Sequence, residues 1–268
     1  MQTFHNFEHD RWQQAADGYD RYWQPLVRQT VTPLLDAAGV DSGTGLLDVA
    51  CGPGYVAGAA AQRGASVTAI DFSSVMIEKA RALFSQVHFE TGDAQALPCA
   101  GGAFDAVTVN FGMLHFEKPE AALAEAFRVL RAGGKIAYTV WAGPPQCQGF
   151  AVVYSAIEKY GSLDVALPPG PPFFRFSEQA ESSRALGDAG FAEIQWEQLA
   201  LKWEFNSAED FLAAFYSGTA RTGPLLLSQD PAKLADIHDA IFQSLTDHAG
   251  DKGLQIPMTA LLYQARKP

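Results

Sequence analysis

A glycine turn directly follows a short apolar run that carries an acidic residue. The run covers residues 46–49 and contains Asp48, and the turn covers residues 52–54 (Gly-Pro-Gly). Such a turn exposes bare backbone between a strand and a helix, where a ligand can approach closely. In open α/β sheets, ligands bind outside the carboxyl ends of the strands. We therefore predict a ligand-binding loop here, with Cys51 packed beneath it as a small buried thiol.

Two further acids stand at the ends of predicted strands. Asp71 closes the second strand, with Phe72 beside it, and Asp93 closes the third. The first carboxylate is placed to accept hydrogen bonds from both hydroxyls of a ribose, and the ring offers a flat apolar face to a purine. The second carboxylate can accept from the exocyclic amine of adenine. Together with the glycine turn, these residues predict an adenosine site.

One histidine and two N-terminal aromatic residues are candidates for other roles. His115 follows the fourth predicted strand, and a histidine side chain can exchange a proton near neutral pH, so it is the candidate catalytic base. The alternative is that His115 only orders its loop. Tyr19 and Trp23 lie on one face of a predicted helix and are candidates to cover the ligand. The alternative is that both rings simply pack on the core.

The elements that must position these residues alternate between short apolar runs and helical patterns. Strands are predicted over residues 45–50, 66–72, 87–92, 104–110 and 135–142. Ser73 is a predicted helix N-cap, and Pro119 opens a helix that residues 133–134 (Gly-Gly) close. Because such units cross over right-handedly, residues 45–142 are predicted to form a doubly wound α/β sheet.

The remaining segments are predicted to flank this core. Residues 1–44 form an N-terminal helical segment over the cofactor site, and residues 143–176, rich in proline and glycine, form an inserted helical lid. Residues 177–268 return to the sheet, with strands over 192–205 and 256–266. Two inserted helices are predicted within residues 207–249, capped by Ser207 and Asp230.

Aromatic residues are frequent in the inserted segments. We predict that they line an apolar substrate chamber and close over it, and the alternative is a satellite hydrophobic core. They are Phe150, Tyr154, Phe173, Phe174, Phe211, Phe215 and Tyr216.

Composition excludes several classes of partner. The 268 residues include 19 Lys plus Arg and 30 Asp plus Glu, for a net charge of -11. This field repels nucleic-acid phosphates and anionic lipids, so we expect a small-molecule substrate, with neither nucleic acid nor membrane as a partner. The start of the chain lacks the features of a signal peptide, so a cytoplasmic protein is expected. The three cysteines are an odd number and widely spaced, which predicts reduced thiols.

The motifs together resemble the class I S-adenosylmethionine-dependent methyltransferases, in particular the small-molecule branch with the ubiquinone and menaquinone C-methyltransferases. The resemblance covers residues 46–142. It rests on LLDVACGPG, AIDFSSVMIEKAR, GDAQALP, FDAVTVNFGMLHF and RVLRAGGK. It implies a Rossmann-like sheet of seven strands with an antiparallel last strand. It also implies S-adenosylmethionine as the cofactor. Ala50 stands where the common pattern has a first glycine.

The resemblance also assigns roles to individual residues. Gly52 and Gly54 would flank the methionine part of the cofactor, Asp71 would bind the ribose, Asp93 the adenine, and Asn110 the amino-acid end. The full set of predicted cofactor-binding residues is Asp48, Ala50, Gly52, Gly54, Asp71, Phe72, Met76, Asp93, Ala94, Asn110, Phe111, Tyr19 and Trp23. His115 is the one predicted catalytic residue.

The expected function is methyl transfer from S-adenosylmethionine to a small, largely apolar molecule. One alternative is a protein that binds the same cofactor without methylating anything. A second is an NAD-dependent oxidoreductase, since residues 52–57 also fit the dinucleotide fingerprint G-x-G-x-x-A. Asp48 disfavours it, because a carboxylate would then lie near a pyrophosphate. Residues 5–9 match the zinc-protease string H-x-x-E-H without a recognisable third ligand, so no metal site is predicted.

Overall fold

The computed structural model describes residues 2–251 and 253–268. The strands are β1 (Gly45–Val49), β2 (Ser66–Asp71), β3 (His88–Thr91), β4 (Phe104–Asn110), β5 (Leu130–Trp141), β6 (Ala192–Phe205), β7 (Ala249–Gly250) and β8 (Gly253–Arg266). The α-helices are α1 (Phe4–Gly18), α2 (Gln24–Val27), α3 (Val31–Ala37), α4 (Tyr55–Gln62), α5 (Ser74–Leu83), α6 (Pro119–Val129), α7 (Gln148–Tyr160), α8 (Gln179–Asp188), α9 (Ala208–Gly218), α10 (Thr222–Leu227) and α11 (Pro231–Leu245). Among these residues, no helix is both long and apolar enough to cross a membrane.

Shorter helical turns complete the list of regular elements. A π-helical turn covers Tyr19–Trp23, and single 3-10 turns cover Arg28–Thr30, Met113–His115, Arg175–Ser177 and Thr246–His248. The N-terminal helical segment is therefore a series of short pieces. The residues at the junctions next to the π-helical and first 3-10 turns have right-handed helical backbone angles.

The strands form a sheet in the order β3-β2-β1-β4-β5-β8-β6, and the two-residue β7 pairs with β8. β1 runs parallel to β2 and β4, and β4 runs parallel to β5. β8 runs antiparallel to β5. The predicted doubly wound sheet of seven strands with an antiparallel last strand is thus confirmed, and β7 is a small addition to it.

Apolar residues with the period of each element build the core around the sheet. Leu46 of β1, Ala106 of β4 and Ala137 of β5 belong to one apolar cluster, which Leu34 and Leu35 of α3 join. All five side chains are fully buried. Their burial is the main force that holds the strand ends in register.

The predicted helix caps are present. Ser73, Ser207 and Asp230 each accept a hydrogen bond from a backbone N–H in the first turn of the helix that follows. These contacts satisfy donors that have no partner within the helix. The caps therefore begin α5, α9 and α11 where the sequence predicted.

The predicted end of α6 and start of β5 are wrong. α6 ends at Val129, and β5 begins at Leu130 rather than Lys135, because Leu130 already pairs with Phe104 of β4. The pairing then shifts register, and Gly133 takes a φ of +79° within this irregular stretch. The glycines therefore serve a β-bulge rather than a helix end.

The segment over residues 207–249 contains three helices, not the two predicted. Thr219 has extended backbone angles and ends α9. Its hydroxyl accepts a hydrogen bond from the N–H of Gly223, which lies in the first turn of α10. Pro224 is tolerated so close to a helix start because it removes a donor that has no helical partner there.

The chain divides into two compact units. The smaller unit comprises residues up to 26, 142–169 and 200–259, and the larger comprises residues 27–141, 170–199 and 260–268. The loops that follow β1 to β4 belong to the larger unit. Each of the predicted segments 1–44, 143–176 and 177–268 contributes to both units.

An aromatic cluster fills the smaller unit. The indole of Trp203 packs against Trp23 with ring centroids 4.2 Å apart, and Phe211 and Phe215 lie within 6 Å of the same ring. Phe150 contacts Phe215 and Trp23. Aromatic side chains that pack on one another in this way are expected for a satellite hydrophobic core, the alternative to a substrate chamber in the sequence analysis. Closure of a lid over substrate stays a prediction.

Candidate cofactor and active site

The site lies where the winding of the sheet reverses. β1 and β4 are neighbours in the sheet, although β2 and β3 lie between them in the sequence. The loop after β1, the end of β2 at Asp71 and the end of β4 at Asn110 therefore meet at one edge. Open α/β sheets bind ligands at such an edge, because the flanking helices diverge there and leave a crevice.

The glycine loop leaves part of its backbone uncovered. Gly52 has a φ of +52°, and a Cβ built on it would meet no atom within 4 Å. Gly54 also has a positive φ, of +84°, but a Cβ there would lie 2.7 Å from the ring of Phe89. Gly54 is thus needed for close packing of α4 on the sheet, whereas Gly52 presents bare backbone to open space.

Ala50 carries strain at the start of this loop. Its φ is +53°, which is unfavourable for a residue with a Cβ. A Cβ added to Gly112, after β4, would lie 2.8 Å from the Ala50 methyl. The alanine that replaces the common glycine therefore occupies space against the strand-end loop of β4.

Asp71 connects the loop to the end of β2. One carboxylate oxygen accepts a hydrogen bond from the N–H of Gly52 at 2.9 Å, and the other accepts from the N–H of Ser73 at 2.8 Å. The residue is buried, and Phe72 next to it is half-buried. A carboxylate is thus held directly beside the bare backbone of the loop.

Asp93 lies two residues beyond β3 and is held by a residue that the sequence analysis did not include. The side chain of Gln95 donates to the Asp93 carboxylate at 3.0 Å, and its oxygen accepts from the N–H of Lys118 at 2.7 Å. Gln95 thereby connects Asp93 to the start of α6. Its place two residues after the acid was visible in the GDAQALP motif. Ala94 is buried beside them.

Asn110 ends β4 and Phe111 follows it, and both are held by contacts with other elements. The side-chain oxygen of Asn110 lies 2.9 Å from the Thr30 hydroxyl and 2.6 Å from the Thr139 hydroxyl. Phe111 has a φ of +55°, and its ring stacks on Trp141 with centroids 4.0 Å apart. The sequence analysis missed both threonines and Trp141, because nothing in their local sequence marks them.

The predicted catalytic residue, His115, lies just past this point. His115 is half-buried at the end of a 3-10 turn, and its N–H donates to Gly112 at 2.9 Å. Its ring contacts Phe173 edge-on, with centroids 6.2 Å apart. An imidazole against an apolar ring at the edge of the sheet fits either a base or a loop-ordering residue.

Asp48 is placed differently from the other acids. It is 1% exposed, and its carboxylate accepts a hydrogen bond from the Thr108 hydroxyl at 2.9 Å. Burial raises the pKa of Asp48 to about 7, although the bond from Thr108 opposes this. Burial also raises the pKa of the Cys51 thiol well above its ordinary value. Both groups lie beneath the loop, and Cys51 packs with apolar residues as predicted.

The remaining predicted contributors are packed side chains. Met76 is buried on α5. Trp23 is buried in the smaller unit, where its indole N–H donates to the carbonyl of Ala214 at 2.9 Å. The ring of Tyr19 meets Trp12 edge-on at 5.3 Å. A role for Tyr19 and Trp23 at the cofactor stays a prediction.

The glutamate of the H-x-x-E-H string forms an ion pair within the protein. Glu8 is fully buried on α1 and lies 3.8 Å from the guanidinium of Arg221, so its charge is balanced within the smaller unit. Within residues 2–251 and 253–268, no group of three or more His, Cys, Asp or Glu side chains is arranged to hold a metal ion.

This chain is similar to known methyltransferases. Residues 47–138 match the profile of a methyltransferase domain. A demethylmenaquinone methyltransferase of Mycolicibacterium paratuberculosis is 31% identical over 192 residues, 68% of this chain and 79% of that protein. The demethylmenaquinone methyltransferase of Renibacterium salmoninarum is 39% identical over 127 residues, 47% of this chain and 51% of that protein. The chain thus spans about half the length of the first relatives it matches.

The fold agrees with a solved structure. A candidate methyltransferase from Bacillus halodurans superposes with a TM-score of 0.57 and 25% identity, covering 89% of this chain and 98% of that one. The chain therefore belongs to the S-adenosylmethionine-dependent methyltransferases. S-adenosylmethionine is the cofactor of this family. One solved structure of the same fold contains it, and another contains its product, S-adenosylhomocysteine. The alternative of an NAD-dependent oxidoreductase is set aside.

The residues present fit this cofactor. Gly52 leaves open space where a Cβ would otherwise stand, as a closely approaching ligand requires. Asp71 places an acceptor beside it, and the side chains of Asp93 and Asn110 stand at the two neighbouring strand ends. Acidic and amide groups suit a ligand that carries hydroxyls, an amine and a positively charged sulfonium.

Ionisation of Asp48 should make folding stability depend on pH. The pKa of Asp48 rises from 3.8 to about 7 on folding, so the folded state binds this proton more tightly than the unfolded state does. The stabilisation that this provides is complete below about pH 4 and is lost as the pH rises through 7. Asp48→Asn keeps an oxygen for Thr108 and removes the titration. The free energy of unfolding of this variant, minus that of the wild type, should therefore rise by on the order of 4 kcal/mol from pH 4 to pH 7. Urea denaturation across this range measures it, and parallel pH profiles would contradict the assignment.

The contact between Ala50 and Gly112 should appear as coupling between two substitutions. Gly112→Ala places a methyl 2.8 Å from both the Ala50 methyl and Val109, and should destabilise the fold by about 1–3 kcal/mol. In an Ala50→Gly background, roughly half of that loss should disappear, because one of the two clashes is gone. Gly187→Ala is the control, since a Cβ there meets no atom within 4 Å. Additive effects of the two substitutions would contradict the contact.

Proposed function

We propose that this protein transfers a methyl group from S-adenosylmethionine to a small, largely apolar molecule. The observation that carries the proposal is the meeting, at one sheet edge, of a bare glycine backbone, the Asp71 carboxylate and the strained end of β4. Strained residues cluster at functional sites, where the surrounding structure stabilises them. The family and its demethylmenaquinone methyltransferase relatives support the same reaction class.

When bound, S-adenosylmethionine supplies an electrophilic methyl group on a sulfonium. The residues of this chain then have to hold the cofactor and present the acceptor in line with it. We assign the ribose hydroxyls to Asp71, the adenine amine to Asp93 and the amino-acid end to Asn110. Gly52 lets the ligand lie directly on the backbone. These roles need no covalent participation of the protein.

His115 is our candidate for removing a proton from the acceptor. Its place after β4 puts it at the same edge as Asn110, and the ring of Phe173 lies against it. A base with an apolar neighbour suits a phenol-like or quinol-like acceptor, which must lose a proton in a water-poor pocket to become nucleophilic. Two of the relatives are named demethylmenaquinone methyltransferases, and the reduced form of such a quinone is a quinol.

Labelled cofactor tests the function directly. The purified protein is incubated with methyl-labelled S-adenosylmethionine and either a demethylated naphthoquinol or a panel of polar metabolites. We expect label in the naphthoquinol extract and none in the polar products. Label in polar products alone would reject the apolar substrate. Cofactor bound without any transfer of label would instead support a non-methylating binding protein.

Asp71→Ala should weaken cofactor binding by about 30-fold or more, because a charged acceptor contributes about 1.5–3 kcal/mol per hydrogen bond. Titration calorimetry with S-adenosylhomocysteine measures the dissociation constant, and circular dichroism checks that the variant is folded. At Asp93, Asn should cost less affinity than Ala, since it keeps an oxygen acceptor. An unchanged constant in folded Asp71→Ala would rule out the ribose assignment.

His115→Ala should lower kcat by about 100-fold while the cofactor dissociation constant stays the same. His248→Ala is the matched control, because His248 is another half-buried histidine that ends a 3-10 turn, and its loss should leave kcat unchanged. Equal losses of kcat and cofactor affinity in His115→Ala would assign this histidine to loop ordering instead.

A further inference from the structure

The hydroxyl of Thr139 sits behind the end of β4 and contacts both residues there. Thr139 is fully buried on β5, and the strand register pairs it with Asn110. It accepts a hydrogen bond from the N–H of Phe111 at 3.1 Å, and its oxygen lies 2.6 Å from the side-chain oxygen of Asn110. One buried hydroxyl therefore holds the strained backbone of Phe111 and the amide of Asn110 together.

The short distance decides which way the Asn110 amide faces. A separation of 2.6 Å is usual for O–H···O hydrogen bonds and shorter than N–H···O bonds. Thr139 thus donates its single hydrogen, and the Asn110 oxygen accepts it. The hydroxyl of Thr30, also fully buried, lies 2.7 Å from the carbonyl oxygen of Val27 and 2.9 Å from the same Asn110 oxygen, so its single hydrogen is shared between these two acceptors. The side-chain oxygen is held against the protein, which leaves the amide nitrogen as the group that faces a ligand.

An amide nitrogen can only donate, so it selects among the groups of an amino acid. A carboxylate accepts hydrogen bonds and an ammonium does not. The loop after β4 abuts the cofactor loop, since Gly112 lies against the Ala50 methyl. We propose that Thr139, supported by Thr30, is a positioning residue that fixes Asn110 as a donor to the carboxylate at the cofactor's amino-acid end. This inference rests on the proposed function.

Two probes separate the amino-acid end from the adenosine end of the site. S-adenosylhomocysteine carries the amino-acid end, and 5′-methylthioadenosine lacks it. Thr139→Val removes the hydroxyl with little change of shape. We expect this variant to bind S-adenosylhomocysteine about 10-fold more weakly or worse, and to bind 5′-methylthioadenosine as tightly as the wild type does. Thr139→Ser should restore most of the loss. Asn110→Asp should bind S-adenosylhomocysteine more weakly still, because the substitution replaces a hydrogen-bond donor with a negative charge that repels the carboxylate of the probe.

Calorimetry on each folded variant decides the inference. The inference is overturned if Thr139→Val loses affinity for both probes equally, or loses affinity for neither. Tighter binding of S-adenosylhomocysteine to Asn110→Asp would also overturn it. If Thr139→Val does not fold, Thr30→Val takes its place and must show the same selective loss. Failure of the wild type to bind either probe would reject the proposed function itself, whereas normal wild-type binding with unselective variants rejects only this positioning role.

Discussion

The carboxylate of Asp71 is the contact on which the geometry of the site depends. It accepts the N–H of Gly52 from one loop and the N–H of Ser73 from the next, and so fixes two strand ends relative to each other. Hydrogen bonds to a charged acceptor are among the stronger ones in a protein. Without this acceptor, the left-handed turn at Gly52 would lose a contact that holds it open, and the bare backbone beside it would no longer be preorganised.

Two of the three non-glycine residues with positive φ among residues 2–251 and 253–268 lie at the ends of the two central strands. Ala50 follows β1 and Phe111 follows β4, and both have positive φ although neither is glycine. Each is stabilised from a different strand: Cys51 donates to the carbonyl of Ile70 on β2, and Phe111 donates to Thr139 on β5. Such strain persists only where surrounding contacts over-determine the backbone. The sheet thus supplies the rigidity, and the ends of β1 and β4 supply the shape of the crevice.

The acids around the loop divide into two kinds by their surroundings. Asp71 and Asp93 each accept hydrogen bonds from backbone or side-chain donors. Burial raises the pKa of Asp48 to about 7, although hydrogen bonds from the Thr108 hydroxyl and the Ala57 backbone oppose the shift. The buried Asp48 can therefore be neutral near pH 7, which reduces its repulsion with Asp71.

Local patterns in the sequence determined the order of strands and helices, the caps at Ser73, Ser207 and Asp230, and the motifs at the strand ends. Each depends on residues within one turn or strand, so it can be read without knowing distant neighbours. The tertiary structure alone decided that Thr30 and Thr139 meet at Asn110, because 80 and 29 residues separate them from it in the chain. It also decided that Leu130 already pairs with β4, since strand pairing outweighs a local helix-end signal.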